Sequence, residues 1–402
     1  MATLLQINTT VNRGSTGRIA EEIGLMAQSR GWVSYIAYGK RNPVSKNQLI
    51  RIQSKWGFYW NVLISRLFGL HDYCSKRATQ RFVEQIKELN PDIIHLHNVH
   101  GYYLHIPTLF DYLSICGKPV VWTLHDCWSM TGHCTHFVNA NCNKWKTGCY
   151  KCPLYKEYPK SFLIDRSKEN YELKKRLFNS IPNLHIIPVS RWLESLLKES
   201  YLKDQDIKVI NNGIDLNVFN TNVNKIKGDR FRILGVASVW TKTKGLKDFF
   251  ALRELLDDNY EITLVGLNKK QLKSLPKGIK GIMRTDSVQE LVKLYAESDL
   301  LFNTTYADTF PTVNIESLAC GTPVMTYRTG GSPEILDNHT GAVINPGDIN
   351  MAASVIIRMK NGKINLSSEA CRKRAENLFN KLNKYKEYID LYENLNNNNL
   401  LQ

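Results

Sequence analysis

The sequence contains no uninterrupted apolar run of about 18 residues, the length that a transmembrane helix requires. Its first residues, Met-Ala-Thr-Leu-Leu-Gln-Ile-Asn, have neither the basic segment nor the apolar stretch of a secretory signal peptide. No repeat of solenoid length and no common nucleic-acid-binding motif is visible. These absences predict a cytoplasmic chain that is neither a repeat scaffold nor a partner of nucleic acid.

Acidic residues are scarce beside basic ones. The 37 Asp plus Glu residues stand against 53 Lys plus Arg residues, so the formal net charge is +16. An excess of this size favours a polyanionic partner such as nucleic acid, an anionic membrane or a phosphorylated substrate. Because no nucleic-acid motif is present, an anionic membrane surface and phosphorylated substrates are the expected partners.

Short apolar runs alternate with helical patterns along 402 residues, which predicts an α/β fold with parallel sheets in two domains. The first predicted strands are Thr3–Ile7, Val33–Tyr38, Ile93–His97, Val120–Leu124, His185–Val189 and a strand running into a turn over Lys208–Asp215. The second series begins at Arg232 and continues through Glu261–Gly266, Gly281–Met283, Leu300–Asn303 and Pro323–Tyr327. Because the pattern restarts, two Rossmann-like domains are predicted, at 1–205 and 206–371. Residues 372–402 are predicted to form a helix from Arg372 to about Leu395 that returns to the first domain, and a frayed tail over Asn394–Gln402.

Two carboxylates lie eight positions apart in Asp308-Thr-Phe-Pro-Thr-Val-Asn-Ile-Glu316. The pattern places the first in a loop and the second at a helix start, with both facing one cleft. A turn at Thr329-Gly330-Gly331 follows the next strand. Its backbone N–H groups suit phosphate or sugar oxygens.

This constellation resembles the donor-sugar site of the retaining glycosyltransferases of family four, which have the GT-B fold of two Rossmann-like domains facing across a cleft. The resemblance extends over Phe231–Pro346. It implies that Asp308 contacts the donor sugar and that Glu316 holds the ribose hydroxyls. The family usually has Glu at the first position, so Asp308 indicates a shifted loop, a different sugar or a weaker enzyme. The alternative interpretation is a helix-capping Glu316 and a solvated Asp308.

A basic loop precedes the acids, in Ala237-Ser-Val-Trp-Thr-Lys242-Thr-Lys244-Gly245. Its cations and N–H groups suit a diphosphate at a helix N-terminus. In the family that it resembles, this loop carries an arginine and then a lysine. Lys244 matches the lysine, while Val239 stands at the arginine position. Lys242 is a candidate substitute, although a lysine lacks the bidentate fork of arginine. Both lysines could instead be solvated turn residues.

The N-terminal half supplies two further candidates. Glycines in Arg13-Gly14-Ser15-Thr16-Gly17 would let backbone N–H groups meet the donor diphosphate across the cleft. An ordinary strand-to-helix turn is the alternative, and no Gly-Lys-Ser/Thr follows as in a Walker loop. His125 ends a predicted strand, where α/β folds place their sites, and the resemblance implies that it contacts the sugar near the reacting carbon. His97 is predicted either on the acceptor side or as a buried structural residue.

Five of the nine cysteines fall within an insert at 127–153. Without an export signal, such clustering favours a metal site over disulfides. A structural zinc on Cys134, Cys142, Cys149 and Cys152 is predicted, with His133, His136 and Cys127 as further candidate ligands. A reduced-thiol core and two disulfides are the alternatives. Similar inserts occur in family members that build bacterial surface polysaccharides, and no cofactor is implied for catalysis.

The segment Lys55–Leu70 combines aromatic and aliphatic residues with flanking cations. It is typical of an interfacial helix that lies on an anionic leaflet near lipid-linked acceptors. The alternative is a core helix of the first domain with basic ends.

The predicted function is that of a retaining hexosyltransferase, peripheral on the inner face of the cell membrane. It would move a sugar from a nucleotide-sugar donor to a glycan or polyprenyl-linked acceptor in the synthesis of bacterial surface polysaccharides such as capsule or O-antigen. Lys244 and the glycine-rich loops would stabilise the leaving phosphate during front-face attack. A GT-B nucleotide-sugar epimerase and a catalytically silent scaffold that binds glycan or lipid are the alternatives, and the scaffold need not bind a nucleotide.

Overall fold

The computed structural model describes residues 1–40, 44–71, 73–223 and 228–400. They form two compact units, one holding Met1–Asn211 together with the chain from Lys384, and the other holding Asn212–Asn383. No helix in the described ranges is both long enough and apolar enough to cross a bilayer.

The first unit is built on a parallel sheet of seven strands. The strands are β1 (Thr3–Asn8), β2 (Val33–Tyr38), β3 (Gln48–Arg51), β4 (Ile93–Leu96), β5 (Val120–Leu124), β6 (Leu184–Pro188) and β7 (Asp206–Ile207). Its helices up to residue 211 are α1 (Gly14–Ser29), α2 (Lys55–Phe68), α3 (Lys76–Leu89), α4 (Ile106–Leu113), α5 (Ser167–Phe178) and α6 (Arg191–Leu197). The strand order β3-β2-β1-β4-β5-β6-β7 reverses direction between β1 and β4.

The core of this unit follows from continuous apolar strands. All residues of β4 and β5 are buried, as expected for central strands of a parallel sheet covered on both faces. Trp122 of β5 packs edge-on against Phe178 at 4.8 Å between ring centroids, and its Nε1–H donates to the carbonyl of His97 at 3.0 Å. Truncation of Phe178 to alanine would cost about 3–5 kcal/mol of stability.

The second unit has a parallel sheet of six strands. They are β8 (Phe231–Val236), β9 (Tyr260–Val265), β10 (Ile279–Ile282), β11 (Leu300–Asn303), β12 (Val324–Tyr327) and β13 (Gly341–Ile344). The helices are α7 (Leu246–Leu255), α8 (Lys269–Lys273), α9 (Val288–Glu297), α10 (Thr312–Ala319), α11 (Ile349–Lys360) and α12 (Ser368–Phe379). The order β10-β9-β8-β11-β12-β13 reverses between β8 and β11. The predicted class of two Rossmann-like α/β domains is confirmed.

The boundary between the units differs from the predicted 205/206. β7 pairs with β6 in the first sheet, and Ile210 is buried in a cluster with Leu4 and Ile187 of that unit. The first unit therefore continues to Asn211. The prediction of a strand over Lys208–Asp215 is wrong. The strand β7 ends at Ile207, and within the predicted range Ile214 forms an isolated bridge to Asn380.

The C-terminal part was predicted as one helix from Arg372 and a frayed tail. It consists instead of α12 and a final helix, α13 (Lys381–Leu400), so the prediction of a frayed tail is wrong up to residue 400. Asn380 separates the helices with φ −60° and ψ 120°. Its neighbours hold Ile214: the Ile214 N–H donates to the Phe379 carbonyl at 2.7 Å, and the Lys381 N–H donates to the Ile214 carbonyl at 3.0 Å. These long-range hydrogen bonds interrupt the helical pattern. Residues 401 and 402 lie outside the described part.

Candidate active site

The second unit gathers the predicted donor-site residues at one edge of its sheet. The loops after β8, β11 and β12 carry Lys244, Asp308 and Thr329–Gly331, respectively. β8 and β11 are the adjacent strands at which the order reverses, so their carboxyl ends form a topological switch point. Open α/β sheets bind ligands outside the carboxyl ends of strands at such a point.

Lys244 and Asp308 form an ion pair. The Lys244 Nζ donates to Asp308 Oδ2 at 2.8 Å, while Asp308 Oδ1 accepts the N–H of Phe310 at 3.2 Å. The two side chains remain 34% and 23% exposed, so solvent and ligands can reach both. A pair exposed to this extent contributes about 0–1 kcal/mol, which a phosphate ligand can readily replace.

Gly245 lets the lysine loop approach the loop after β11. Its φ is +70°, and a Cβ at this position would lie 2.3 Å from the carbonyl oxygen of Thr304. Two hydrogen bonds complete the contact. The hydroxyl of Thr304 donates to the Lys244 carbonyl at 2.8 Å, and the Tyr306 N–H donates to the Thr243 carbonyl at 2.8 Å. Lys244 is thus positioned by backbone contacts.

Gly330 makes an equally close approach to the acid. Its φ is +53°, and a Cβ would lie 1.6 Å from the carbonyl oxygen of Asp308. The N–H of Gly331 donates to the Thr309 carbonyl at 3.1 Å, and the N–H of Thr329 donates to the Tyr327 carbonyl at 2.9 Å. Since these two N–H groups already have protein acceptors, this turn shapes the Asp308 loop, and its role in donor binding stays a prediction.

Glu316 lies deeper than predicted. α10 begins at Thr312, so Glu316 stands in its second turn rather than at its start, and the interpretation as a helix cap is wrong. Only 4% of Glu316 is exposed, and its Oε2 accepts the hydroxyl hydrogen of Tyr295 at 2.8 Å. Tyr295 belongs to α9, where its spacing predicts only a core position. Sequence reasoning therefore missed this partner. The ribose-binding role of Glu316 stays a prediction.

Further loops lie at the same edge of this sheet. Gly266, with φ +97°, follows β9 and donates its N–H to the Ile282 carbonyl at the end of β10. Lys242 is exposed, and Val239 is 60% exposed. The position of the family's arginine thus holds a solvent-exposed valine, and the side chain of Lys242 is accessible to solvent. Its predicted substitution for that arginine stays untested.

In the first unit, α1 begins at Gly14, immediately beyond the loop that follows β1. Gly14 has φ +66°, and a Cβ on Gly17 would lie 3.0 Å from the hydroxyl of Thr10. No side chain caps the first turn, which contains Ser15 and carries no acidic residue. These features suit an anion at the helix N-terminus, while the predicted diphosphate contact stays a prediction.

His125 directly follows β5, as predicted, and a chain of hydrogen bonds sets its tautomer. Gln6 Nε2 donates to the Ala20 carbonyl at 2.9 Å, so Gln6 Oε1 accepts the Nε2–H of His97 at 3.0 Å. Burial and the neighbouring His95 and His125 lower the pKa of His97 well below its ordinary value, so the ring is neutral and its Nδ1 is an acceptor. His125 Nε2, 3.3 Å away, therefore carries the proton, and His125 Nδ1 carries none.

A hydrogen-bonded carboxylate adjoins this histidine. His100 Nε2 lies 2.8 Å from Asp126 Oδ2, and Asp126 Oδ1 accepts the Trp128 N–H at 2.9 Å. Burial is the largest influence on Asp126 and opposes its ionisation, but His100, His136 and the Trp128 N–H together outweigh burial, and the pKa of that carboxyl falls to about 2. Burial lowers the pKa of His125 to about 4 even though Asp126 acts in the opposite direction. At neutral pH, the site thus presents a neutral imidazole beside a carboxylate.

The four predicted zinc ligands converge in the same unit. Cys134, Cys142, Cys149 and Cys152 line one cavity of about 10 Å³. All nine cysteines of the chain are free, so the alternative of two disulfides is absent from the structure. Within the described ranges, no group of three or more His, Cys, Asp or Glu side chains already stands in metal-binding geometry.

Comparison with known proteins agrees with the fold. Residues 33–218 match the model described as Glycosyltransferase Family 4, and residues 230–361 match the model described as Glycosyl transferases group 1. The chain belongs to the glycosyltransferases of family 4, and its two Rossmann-like domains are those of the GT-B fold.

Among curated relatives, the colanic acid biosynthesis glycosyl transferase WcaC of Escherichia coli K12 is 24% identical over 366 residues, covering 86% of this chain and 88% of WcaC. Among solved structures, sucrose-phosphate synthase of Thermosynechococcus elongatus has a TM-score of 0.71 at 17% identity and covers 98% of this chain and 99% of its own. Anabaena HepE in complex with UDP and glucose has a TM-score of 0.67 at 15% identity, with coverages of 97% and 99%. Identities this low relate the folds only.

Proposed function

We propose that the chain is a retaining hexosyltransferase that uses a nucleotide-diphosphate sugar and contributes to a bacterial surface polysaccharide. The Lys244–Asp308 pair at the β8/β11 switch point carries this proposal, because it sets a cation for phosphate beside an acceptor for sugar hydroxyls. The likeness to WcaC supports the polysaccharide, and the UDP and glucose held by HepE support the class of donor.

In the proposed reaction, the sugar–phosphate bond breaks while an acceptor hydroxyl attacks from the same face of the sugar, and the proton of that hydroxyl passes to the leaving phosphate oxygen. The leaving diphosphate gains negative charge, and Lys244 stabilises that charge after exchanging Asp308 for the phosphate. Asp308 then binds hydroxyls of the sugar. Glu316, fixed by Tyr295, would bind the ribose. His125 would contact the sugar near the reacting carbon through its unprotonated Nδ1.

Donor binding tests this proposal most directly. Thermal unfolding would be measured with UDP, GDP and ADP, each free and as common sugar conjugates. One nucleotide is expected to stabilise the chain, by about 2.7 kcal/mol when its concentration is 100 times its Kd. Glu316→Gln should weaken the effect, and Lys363→Gln, at an exposed lysine beyond α11, provides a control. Binding without transfer would favour the scaffold, and stabilisation by no nucleotide would overturn the proposal.

We infer that the acceptor is attached to a lipid, because α2 presents its apolar side outward. Its buried residues are Asn61 and Ser65, whereas Trp56, Tyr59 and Trp60 are 85%, 68% and 63% exposed. The interpretation of this segment as a core helix therefore does not fit. The buried side of α2 is polar and hydrogen-bonded to the protein: Asn61 Nδ2 donates to Gln53 Oε1 at 2.9 Å.

A second exposed apolar stretch borders α2. The Phe162 N–H donates to the carbonyl of Arg66 in the last turn of that helix at 2.7 Å, and Phe162, Leu163 and Ile164 are 52%, 68% and 42% exposed. Lys55 and Arg66 are also exposed. Aromatic side chains flanked by cations suit an anionic leaflet, where the rings insert at headgroup level.

Sedimentation with vesicles tests the membrane contact. Vesicles containing phosphatidylglycerol should bind the chain at low salt, and vesicles of phosphatidylcholine alone should bind it less. The double change Trp56→Ser and Trp60→Ser should abolish binding, whereas Ile115→Ser, at a residue 82% exposed after α4, should not. Equal binding of the two variants would contradict the inference without affecting the donor site.

A further inference from the structure

The insert between β5 and α5 needs a source of stability beyond its secondary structure. Residues 125–166 all belong to the described part of the chain. They contain three short 3₁₀ turns, at Trp128–Met130, Val138–Ala140 and Lys144–Lys146, and no strand or α-helix. Loops longer than about 12–15 residues without such elements are uncommon in compact domains. Yet His133, Cys134 and Trp145 within it are buried. A covalent or coordinative link between distant parts of the insert would account for its order.

Four thiols from three parts of the insert meet at one small cavity. Cys134, Cys142, Cys149 and Cys152 all line it, and the sulfurs of Cys134 and Cys152 share a hydrogen bond. Its volume of about 10 Å³ is close to the smallest that can hold one water molecule. The cavity therefore has room for an ion or a water molecule, not for an organic ligand.

Backbone donors already point at two of these sulfurs. The N–H of Gly132 donates to Cys149, and the N–H of Leu154, two residues beyond Cys152, donates to Cys152. Backbone donors of this kind orient a sulfur as a metal ligand. The sulfurs that receive them belong to the Cys-x-x-Cys pair.

Two lysines lie close to the cavity. Lys144 lines it and acts electrostatically on Cys152, while Lys174 acts on Cys149. Lys174 is 2% exposed, donates to the carbonyls of Trp128 and Thr131 at 2.9 Å, and lies 3.3 Å from the ring centroid of Trp128. Four thiolates around a divalent cation carry a net charge of −2, which two lysines can balance.

We propose that Cys134, Cys142, Cys149 and Cys152 bind one structural Zn²⁺ ion. The sulfurs border the cavity without being in metal-binding geometry, so the ion would draw them toward its centre. Binding releases four protons as Zn²⁺ and four thiols form a tetrathiolate, without oxidation of sulfur. Zinc fits because it favours a closed tetrahedral set of thiolates. The inference is independent of the proposed transferase activity.

Metal content and optical spectra test the site. Full-length chain produced with zinc in the medium should contain one zinc per chain by mass spectrometry of the metal. After zinc removal, Co²⁺ should give thiolate-to-metal charge-transfer bands and the intense visible bands of a tetrahedral site. Cys142→Ser and Cys149→Ser should lose both signals. Cys116→Ser is the matched control, because its sulfur lies outside the cavity and donates to the Leu113 carbonyl, as a serine hydroxyl can.

The outcomes separate zinc from the two alternatives. Metal-free chain with all nine thiols titratable would establish a reduced core, and metal-free chain with five titratable thiols would establish two disulfides; either overturns the proposal. Zinc that survives unchanged in both serine variants would also overturn it. If those variants do not fold, the zinc content and cobalt spectrum of the unaltered chain decide.

Discussion

The two sheet edges that carry the candidate residues use different physical means. In the second unit, Lys244 and Asp308 are partly exposed charges held by close backbone contacts through Gly245 and Gly330. In the first, His97 and His125 are neutral rings oriented by a directional chain of hydrogen bonds from Gln6. The Lys244–Asp308 site should respond to steric change and to loss of charge. The His97–His125 site should respond to loss of a hydrogen-bond acceptor and to pH. Parallel sheets of similar topology thus support unlike chemistry at their carboxyl edges.

The most direct test of the close backbone contacts in the second unit is the substitution Gly330→Ala. The added Cβ would lie 1.6 Å from the Asp308 carbonyl oxygen at a φ of +53°. We expect a loss of about 3 kcal/mol or more in the free energy of unfolding, measured in urea, together with loss of donor binding. Gly362→Ala separates the two causes, because its φ is +68° but no atom lies within 4 Å of the Cβ. An equal loss in both variants would mean that the close approach is unimportant.

Removal of the charge should be the next largest effect. Lys244→Ala is expected to lower kcat for sugar transfer about 10²–10³-fold, because developing phosphate charge loses its cation. The fold should persist, since the partly exposed ion pair contributes little to stability. Lys242→Ala is the control in steady-state kinetics and should change kcat less. A similar decrease in both would assign the phosphate contact to the loop as a whole.

In the first unit, Gln6→Leu removes the acceptor that fixes His97. The proton of His97 can then move to Nδ1, which would make Nε2 of His125 the acceptor and leave the proton on His125 Nδ1. We expect kcat to fall about ten-fold with little change in KM for the donor. NMR of ¹⁵N-labelled histidine should show the change of tautomer. Decreased activity with unchanged tautomers would indicate a structural role only.

A further prediction concerns His71, a buried histidine of the first unit. It is 3% exposed, and neither ring nitrogen has a hydrogen-bond partner among the residues described. Burial, followed by His133, Lys174 and His100, lowers the pKa of His71 to about 3 from 6.5. Between these pH values the unfolded chain binds the proton and the folded chain does not. Stability is therefore fully present above pH 6.5 and falls as the pH decreases.

At pH 5, this group alone should cost about 2 kcal/mol of stability relative to pH 7.5. His71→Phe should abolish that part of the pH dependence and be neutral or slightly stabilising at pH 7.5, because an unpartnered polar group is replaced by an apolar ring. Denaturation in urea at both pH values measures it. The exposed His339, changed to Phe, should leave the pH dependence intact. Identical slopes in all three chains would contradict the pKa argument.

The sequence pattern correctly predicts those features of the fold that depend on residues close together in the chain. β2, β5 and β11 have the predicted bounds, since their apolar runs are bordered by polar turns. His125 follows its strand as predicted. β3 and β13 were missed because neither has a continuous buried run: β3 is exposed or half-buried throughout, and only Ile344 of β13 is buried. Short strands gain their order from neighbouring strands, which the sequence window does not contain.

Features with distant causes could not be predicted. The break at Asn380 depends on hydrogen bonds to Ile214, and the burial of Glu316 depends on a hydroxyl supplied by Tyr295. The spacing of the acids identified the correct loop and helix, but not the depth of the second carboxylate. In the same way, cysteine spacing identified a cluster, whereas the amide donors at Gly132 and Leu154 emerged only from the three-dimensional arrangement.

The last helix has a consequence for the order in which this protein matures. Tyr388 and Tyr392 of α13 are buried in the first unit, where the Thr123 hydroxyl donates to Tyr388 and the Tyr392 hydroxyl contacts His95 Nδ1 at 2.6 Å. During synthesis on the ribosome, residues 1–211 emerge long before these tyrosines. The packing around His95 is therefore incomplete until α13 has been synthesised and has left the ribosome.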